Sequence, residues 1–315
     1  MASPLEQVAR SGAALMARWM REEHDRPVSI GTSVSIEEGL PIVELDVGGQ
    51  SAALAVIPLY DANADPATLR YKAQWEERLA AFGVEPCIVW TPPLAEVGDD
   101  AGDHLTGRIA EAVGALEPWQ RGEVTFPVKL GVRRVGDEGS YLNAIGGLQP
   151  HWARFTNQVL GQYRLDAAAI HRLPDDPEAT TQMIDLIVLV ANGLRTVGQT
   201  AEIDAEDTWV VQRVPDLPGP MVLAASPQEW PSDGRAVRRR LRRGVRQVQE
   251  RFPALDVDLR LVAFVGIFSS LEEENVAIAL KGMDPSVFGA FDVACELIDG
   301  RLRVLFGPAR GSILA

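Results

Sequence analysis

The sequence predicts an α/β protein, and three observations carry that expectation. Hydrophobic residues make up 46% and charged residues 23% of the 315, a balance that suits a folded globule and not a disordered chain. Short runs rich in Val, Ile and Leu, such as LPIVELDV at 40–47 and AALAVIPLY at 52–60, read as strands. Between them lie stretches whose apolar residues recur every three to four positions, the mark of an amphipathic helix.

In order, Leu5, Val8, Ala9, Gly12, Leu15, Met16, Trp19 and Met20 predict a helix over 5–23, ended by Pro27. Val28, Ile30, Val34 and Ile36 alternate as in a strand. A second strand spans 40–47, and Gly48-Gly49 marks a tight turn. The third, 52–60, is apolar throughout and is expected to be buried on both faces. Leu69, Trp75, Leu79 and Phe82 predict a helix over 66–82 with Gly83 as its stop. A fourth strand follows at 86–90, then an acidic loop at 94–104 and a helix at 105–116.

Trp119 to Gly122 reads as a domain boundary, dividing the chain into 1–118 and 123–315. Beyond it, 123–135 reads as a strand pair or one long bent strand. Pro150 suits the first turn of a helix to about 161, with Trp152, Phe155 and Val159 inward. An apolar helix is expected near 178–197 and a strand at 209–214, followed by a proline-rich linker. The tail alternates: strand 221–225, helix 234–251, strand 257–268, helix 272–281, strand 291–298, the turn Asp299-Gly300 and strand 301–306.

Composition excludes several classes. No apolar run approaches the roughly 20 residues that span a bilayer. Glu6 and Arg10 near the start, with no long apolar stretch behind them, do not resemble a signal peptide. Two isolated cysteines, Cys87 and Cys295, form neither a disulfide framework nor a zinc site. The expectation is a cytoplasmic chain with no membrane contact, no metal and no cofactor.

Charge is uneven. The net charge is -14, yet 235–251 holds eight arginines in seventeen positions, opposed only by Glu250. On a helix, Val237, Leu241, Val245 and Val248 form an inward stripe, and the arginines face out. Such a face grips phosphates, since arginine makes bidentate contacts. It equally suits an acidic protein surface, including that of a second copy, or simply a solvated face. Arg235, Arg238, Arg239, Arg242, Arg243 and Arg246 are the candidate anion-binding or nucleic-acid-binding residues.

The order helix, three strands, helix, strand over residues 5–90 resembles the core of the PD-(D/E)XK, or restriction-endonuclease-like, superfamily. The resemblance implies an N-terminal endonuclease-like domain followed by a mixed α/β domain. In that pattern an acid opens the second strand, and a Glu/Asp-x-Lys triplet on the third helps hold a divalent metal and activate water. Here the second strand begins Leu40-Pro41, and its acids are Glu44 and Asp46. The third reads Ala53-Leu54-Ala55-Val56-Ile57-Pro58, without acid or lysine. Where the family cuts, this chain is expected not to.

A second candidate site lies at 139–172. His151 could act as a general base, or pair with Ser140 as a nucleophile, and Arg154 and His171 complete this candidate hydrolase site. A capped helix at a domain junction explains the same residues. Asp204, Glu206 and Asp207 could bind a cation or form an acidic turn. The functional expectation is a non-catalytic accessory or nucleic-acid-binding subunit of a bacterial nucleic-acid-processing or defence system. The alternatives are a self-assembling or partner-binding interaction protein, and a hydrolase acting near 140–172.

Overall fold

The computed structural model describes residues 3–62, 66–91, 99–146, 148, 151–170, 172–224, 234–267 and 269–307. The protein is α/β with mixed sheets and opens α-β-β-β-α, as the sequence leads one to expect. It falls into two compact units, Met1–Gly122 with Val210–Ala315, and Glu123–Trp209. This division differs from the expected 1–118 and 123–315: the tail returns to the first unit.

The first elements are α1 (Pro4–His24), β1 (Val28–Glu37), β2 (Leu40–Val47), β3 (Gln50–Pro58), α2 (Pro66–Ala81), β4 (Cys87–Thr91) and α3 (Asp99–Gly114). Next come β5 (Arg121–Gly136), β6 (Ser140–Gly146), α4 (Trp152–Phe155), β7 (Gly161–Ala167), α5 (Pro177–Gly193) and β8 (Thr200–Arg213). The tail is β9 (Met221–Ala224), α6 (Arg235–Arg251), β10 (Leu259–Gly266), α7 (Ser269–Lys281), β11 (Val293–Ile298) and β12 (Arg301–Phe306).

In the first unit, β1, β2 and β3 form an antiparallel meander. Its turns are Glu38-Gly39 and Gly48-Gly49, all four residues with positive φ, the conformation that matches strand twist in two-residue hairpins. The neighbour of β3 on its other edge is β10, parallel and in register from Leu259↔Ala52 to Val265↔Pro58. Strands β11 and β12 complete the order β1-β2-β3-β10-β11-β12. A parallel partner needs a long crossover, and α6 supplies the helix before β10. The expected fourth strand of the core, β4, lies elsewhere. It pairs parallel with β9 and antiparallel with the end of β8 (Cys87↔Arg213). Both β4 and β10 are buried along their length, so apolar pattern alone could not choose between them.

Alternate residues of β3 serve two cores. Leu54 and Val56 face α1, while Ala53, Ala55 and Ile57 face α6 and α7. Helix α1 also packs on residues of β4, β8 and β9, including Trp90, Val210 and Leu223. That explains why Ser11, Gly12, Ala13, Ala14, Leu15, Met16 and Ala17 are buried in succession. Ser3 caps the helix, its Oγ accepting the Glu6 N–H at 3.2 Å.

Helix α6 approaches β3 closely at Gly244. A Cβ there would lie 2.6 Å from Cγ2 of Ile57, itself buried. We expect Gly244→Val to destabilise the first unit by about 2–3 kcal/mol, since overpacking outweighs the helix propensity gained. Urea denaturation checks this, and a neutral result would mean that α6 is loosely seated.

In the second unit, β7 lies between β5, antiparallel, and β6, parallel. Its core includes Leu130, Val132, Leu142, Phe155, Tyr163, Ile184 and Ile187. The stretch 123–135 is one long strand. The expected helix to residue 161 is instead the four residues of α4, and β7 starts at Gly161. Gly161 has φ +115, where a Cβ would lie 2.9 Å from the Gly136 carbonyl oxygen. Trp152 is 55% exposed instead of inward, while Phe155 and Val159 are buried as expected. Strand β6, unrecognised in sequence, alternates buried Leu142 and Ala144 with exposed Tyr141 and Asn143.

Candidate nucleic-acid interface

Helix α6 begins after Gly234, which adopts a left-handed conformation (φ 63). At about 100° per residue, Val237, Leu241, Gly244, Val245 and Val248 share one side, and all are buried. Arg239, Arg242, Arg243 and Arg246 fall opposite, within an arc of about 100°. All four are exposed. Arg235 lies on the same arc and is also exposed.

The remaining arginines sit at the flanks and are half-buried. Arg238 Nη1 donates to Asn275 Oδ1. Arg251 forms an ion pair with Glu37, and its Nη2 lies 3.5 Å from Glu38. The candidate set therefore splits. Arg238 serves α6–α7 packing, and Arg251 ties the helix end to the β1–β2 turn. By contrast, Arg239, Arg242 and Arg243 make no ion pair among the described residues, and Arg246 donates only from Nε to the Arg242 carbonyl at 3.3 Å. The spacing from 239 to 246 spans about 10 Å of helix.

On the same face of the sheet, below the C-terminal end of α6, is a cavity of about 590 Å³ with Glu37, Glu38, Glu44, Glu250 and Arg251 in its lining. Glu44 of β2 stands opposite Ala53 of β3, and Ile42 opposite Ala55. Ala53 and Ala55 are buried at 2% and 0% exposure. Among the described residues, no group of three or more His, Cys, Asp or Glu is placed to hold a metal.

The alternative site is less convergent. Ser140 opens β6 opposite Gly161. His151 follows the other end of that strand, after Gly146. Six residue steps put about 20 Å between the strand ends, and no hydrogen bond joins Ser140 and His151 among the described residues. His151 is held below its ordinary pKa by burial and by the charge of Arg154. Arg154 is exposed on α4. His171 lies outside the described residues. Asp204 pairs with Lys129 on the surface, while Asp207 is buried and its Oδ1 accepts the Arg172 N–H at 3.3 Å. These acids do not gather around one point.

Sequence reading missed a buried polar network at α2. Lys72 is 5% exposed, and its Nζ donates to Gln7 Oε1 at 3.0 Å. Gln7 Nε2 donates to Glu76 Oε1 at 2.9 Å, and the Val222 N–H to the same oxygen at 3.0 Å. The available signal was spacing: Thr68, Lys72, Trp75 and Leu79 make the buried stripe of α2, and a lysine stands on it.

What the fold and this surface define is an α/β protein bearing an open arginine stripe. Among the described residues no helix is long and apolar enough to cross a membrane. No protein-family model, curated protein or solved structure matches the chain.

Proposed function

We propose that this protein is a non-catalytic nucleic-acid-binding subunit, acting in the cytoplasm within a bacterial nucleic-acid-processing or defence system. The observation that carries the reading is the set Arg239, Arg242, Arg243 and Arg246, exposed on one arc of α6. Like charges at i,i+3 and i,i+4 repel, each pair costing roughly 0.2–0.5 kcal/mol. A polyanion removes that cost on binding, and the stripe then acts as its backbone grip.

The endonuclease-like core belongs to the same proposal. The element order on which the resemblance rests, over residues 5–90, opens α1, β1, β2, β3, α2, and the strand paired with β3 on its other edge is β10 and not β4. With Ala53 and Ala55 on β3, such a core binds without cutting.

The test is titration of the purified protein against labelled duplex and single strands at two salt concentrations, with Mg²⁺ present and product length checked. Salt-sensitive binding with full-length product is expected. Absence of binding at low salt would remove nucleic acid as the ligand, and shortened product would show a catalytic site that this reading lacks.

A further inference from the structure

Beside the arginine stripe is a cavity of about 320 Å³ within the first unit. Leu40, Ile57 and Pro58, from the ends of β2 and β3, form its apolar floor. Arg240, Arg243 and Gln247 of α6 line one side, and Glu38 and Asp61 also line the cavity. Gln247 Nε2 donates to the Glu38 carbonyl at 3.0 Å, which turns the side chain toward the β1–β2 turn and leaves Oε1 as an acceptor. Arg243 belongs to both features: it is exposed on the stripe and lines the cavity. The volume is at the lower end of the ~300–1,000 Å³ range of small-molecule sites, suited to a single flat heterocycle with part of its sugar.

We propose that this cavity receives one unpaired nucleotide, with the base against the apolar floor and its phosphate on Arg243. The argument rests on the phosphate-grip reading of α6. A strand lying along Arg239, Arg242 and Arg246 passes the cavity mouth at Arg243. A paired base cannot enter, because its edge is held in the helix. A base at a strand end, a gap or a single-stranded stretch enters at little unstacking cost. Apolar contact and a few polar groups then select for the base, as in single-strand recognition generally. Free nucleotide offers the same chemistry but leaves the other arginines without phosphates, so a strand is the stronger ligand.

The experiment places 2-aminopurine at an unpaired position in an oligonucleotide, and separately within a fully paired duplex. It measures fluorescence on addition of the wild-type protein and of Gln247→Phe, a substitution that fills the cavity from its wall. The expected result is a severalfold rise for the unpaired probe only, as the base leaves its stack for a site with an aliphatic floor. Gln247→Phe is expected to lose that rise and the preference for unpaired over paired ligand, while keeping duplex affinity. Titration with free 2-aminopurine riboside monophosphate is the third arm, and binding as tight as that of the strand would make the cavity a free-nucleotide site. If wild type binds strands but the unpaired probe does not change, the cavity assignment fails and the phosphate grip stands. If it binds no nucleic acid at all, both fall together.

Discussion

Reversing Arg239, Arg242, Arg243 and Arg246 to Glu is expected to abolish nucleic-acid binding and leave the protein folded. All four side chains are exposed, and the packing of α6 rests on Val237, Leu241, Val245 and Val248, which the exchange does not touch. If the four arginines each neutralise one phosphate, affinity should fall about 10²-fold between 50 and 200 mM salt. Neutralising the same residues to Gln should lower the affinity and flatten that salt dependence. Its effect on stability should run the other way, because the like-charge repulsion along the helix is relieved by a few tenths of a kcal/mol per pair. A variant that binds less well and is at least as stable marks residues kept for a ligand and not for the fold. Unchanged binding by the Glu variant would sink the phosphate grip. Loss of self-association with unchanged nucleic-acid binding, seen by light scattering, would reassign the stripe to an acidic protein surface such as that lined by Glu37, Glu38, Glu44 and Glu250.

Local structure was legible where one period dominated. The runs 40–47 and 52–60, the helix at 234–251 and the hairpin at Asp299-Gly300 follow directly from alternation, three-to-four spacing and turn residues. What pattern could not give was the partner of β3. Its alternate residues bury against α1 and α6, and its backbone is paired on both edges, with β2 and β10. Both β4 and β10 are apolar enough to serve. The choice depends on which strand is delivered by a helix that also fits the face, and Gly244 against Ile57 is the detail that seats α6 there. Because the selecting contact joins residues far apart in the chain, the domain division drawn at Trp119–Gly122 was drawn from local breaks alone.

The candidate site was half legible for a related reason. Charge density marked 235–251, but sequence could not separate structural arginines from open ones. That distinction lies in tertiary partners: Asn275 for Arg238, and Glu37 and Glu38 for Arg251. In 139–172, polar and aromatic density marks a candidate site, and its described residues are spread along β6, α4 and β7. Tyr141 and Asn143 are the outward positions of an alternating strand, a pattern masked by the glycines and by the polar neighbours.

Replacing Lys72 with Met is expected to stabilise the protein at neutral pH, although it removes a charge near Glu76 and a hydrogen bond to Gln7. Burial drives the Lys72 pKa down to about 8 from its ordinary 10.5, against the opposing pull of Glu76. Folding at pH 7 therefore requires a buried ammonium that the unfolded chain keeps in water. The shift corresponds to a cost of about 3 kcal/mol at one unit per 1.36 kcal/mol. Loss of the Lys72–Gln7 hydrogen bond offsets about 1 kcal/mol of what Met would regain. Glu76 keeps the Gln7 Nε2 donor and the Val222 N–H, so its carboxylate is not left bare. The net expectation is a gain of about 2 kcal/mol at pH 7. The pH dependence has a definite sign. Between about 8 and 10.5 the unfolded chain binds more protons at this lysine than the folded one, so this group's contribution to stability rises with pH across that window. In the variant that rise disappears, and the difference from wild type shrinks toward zero or reverses by pH 10.5. Urea denaturation at pH 7 and pH 10 reads both effects. Destabilisation by Lys72→Met already at pH 7 would mean that attraction to Glu76 outweighs burial, and that the Gln7–Lys72–Glu76 network holds α1 to α2 as an ion pair rather than in spite of one.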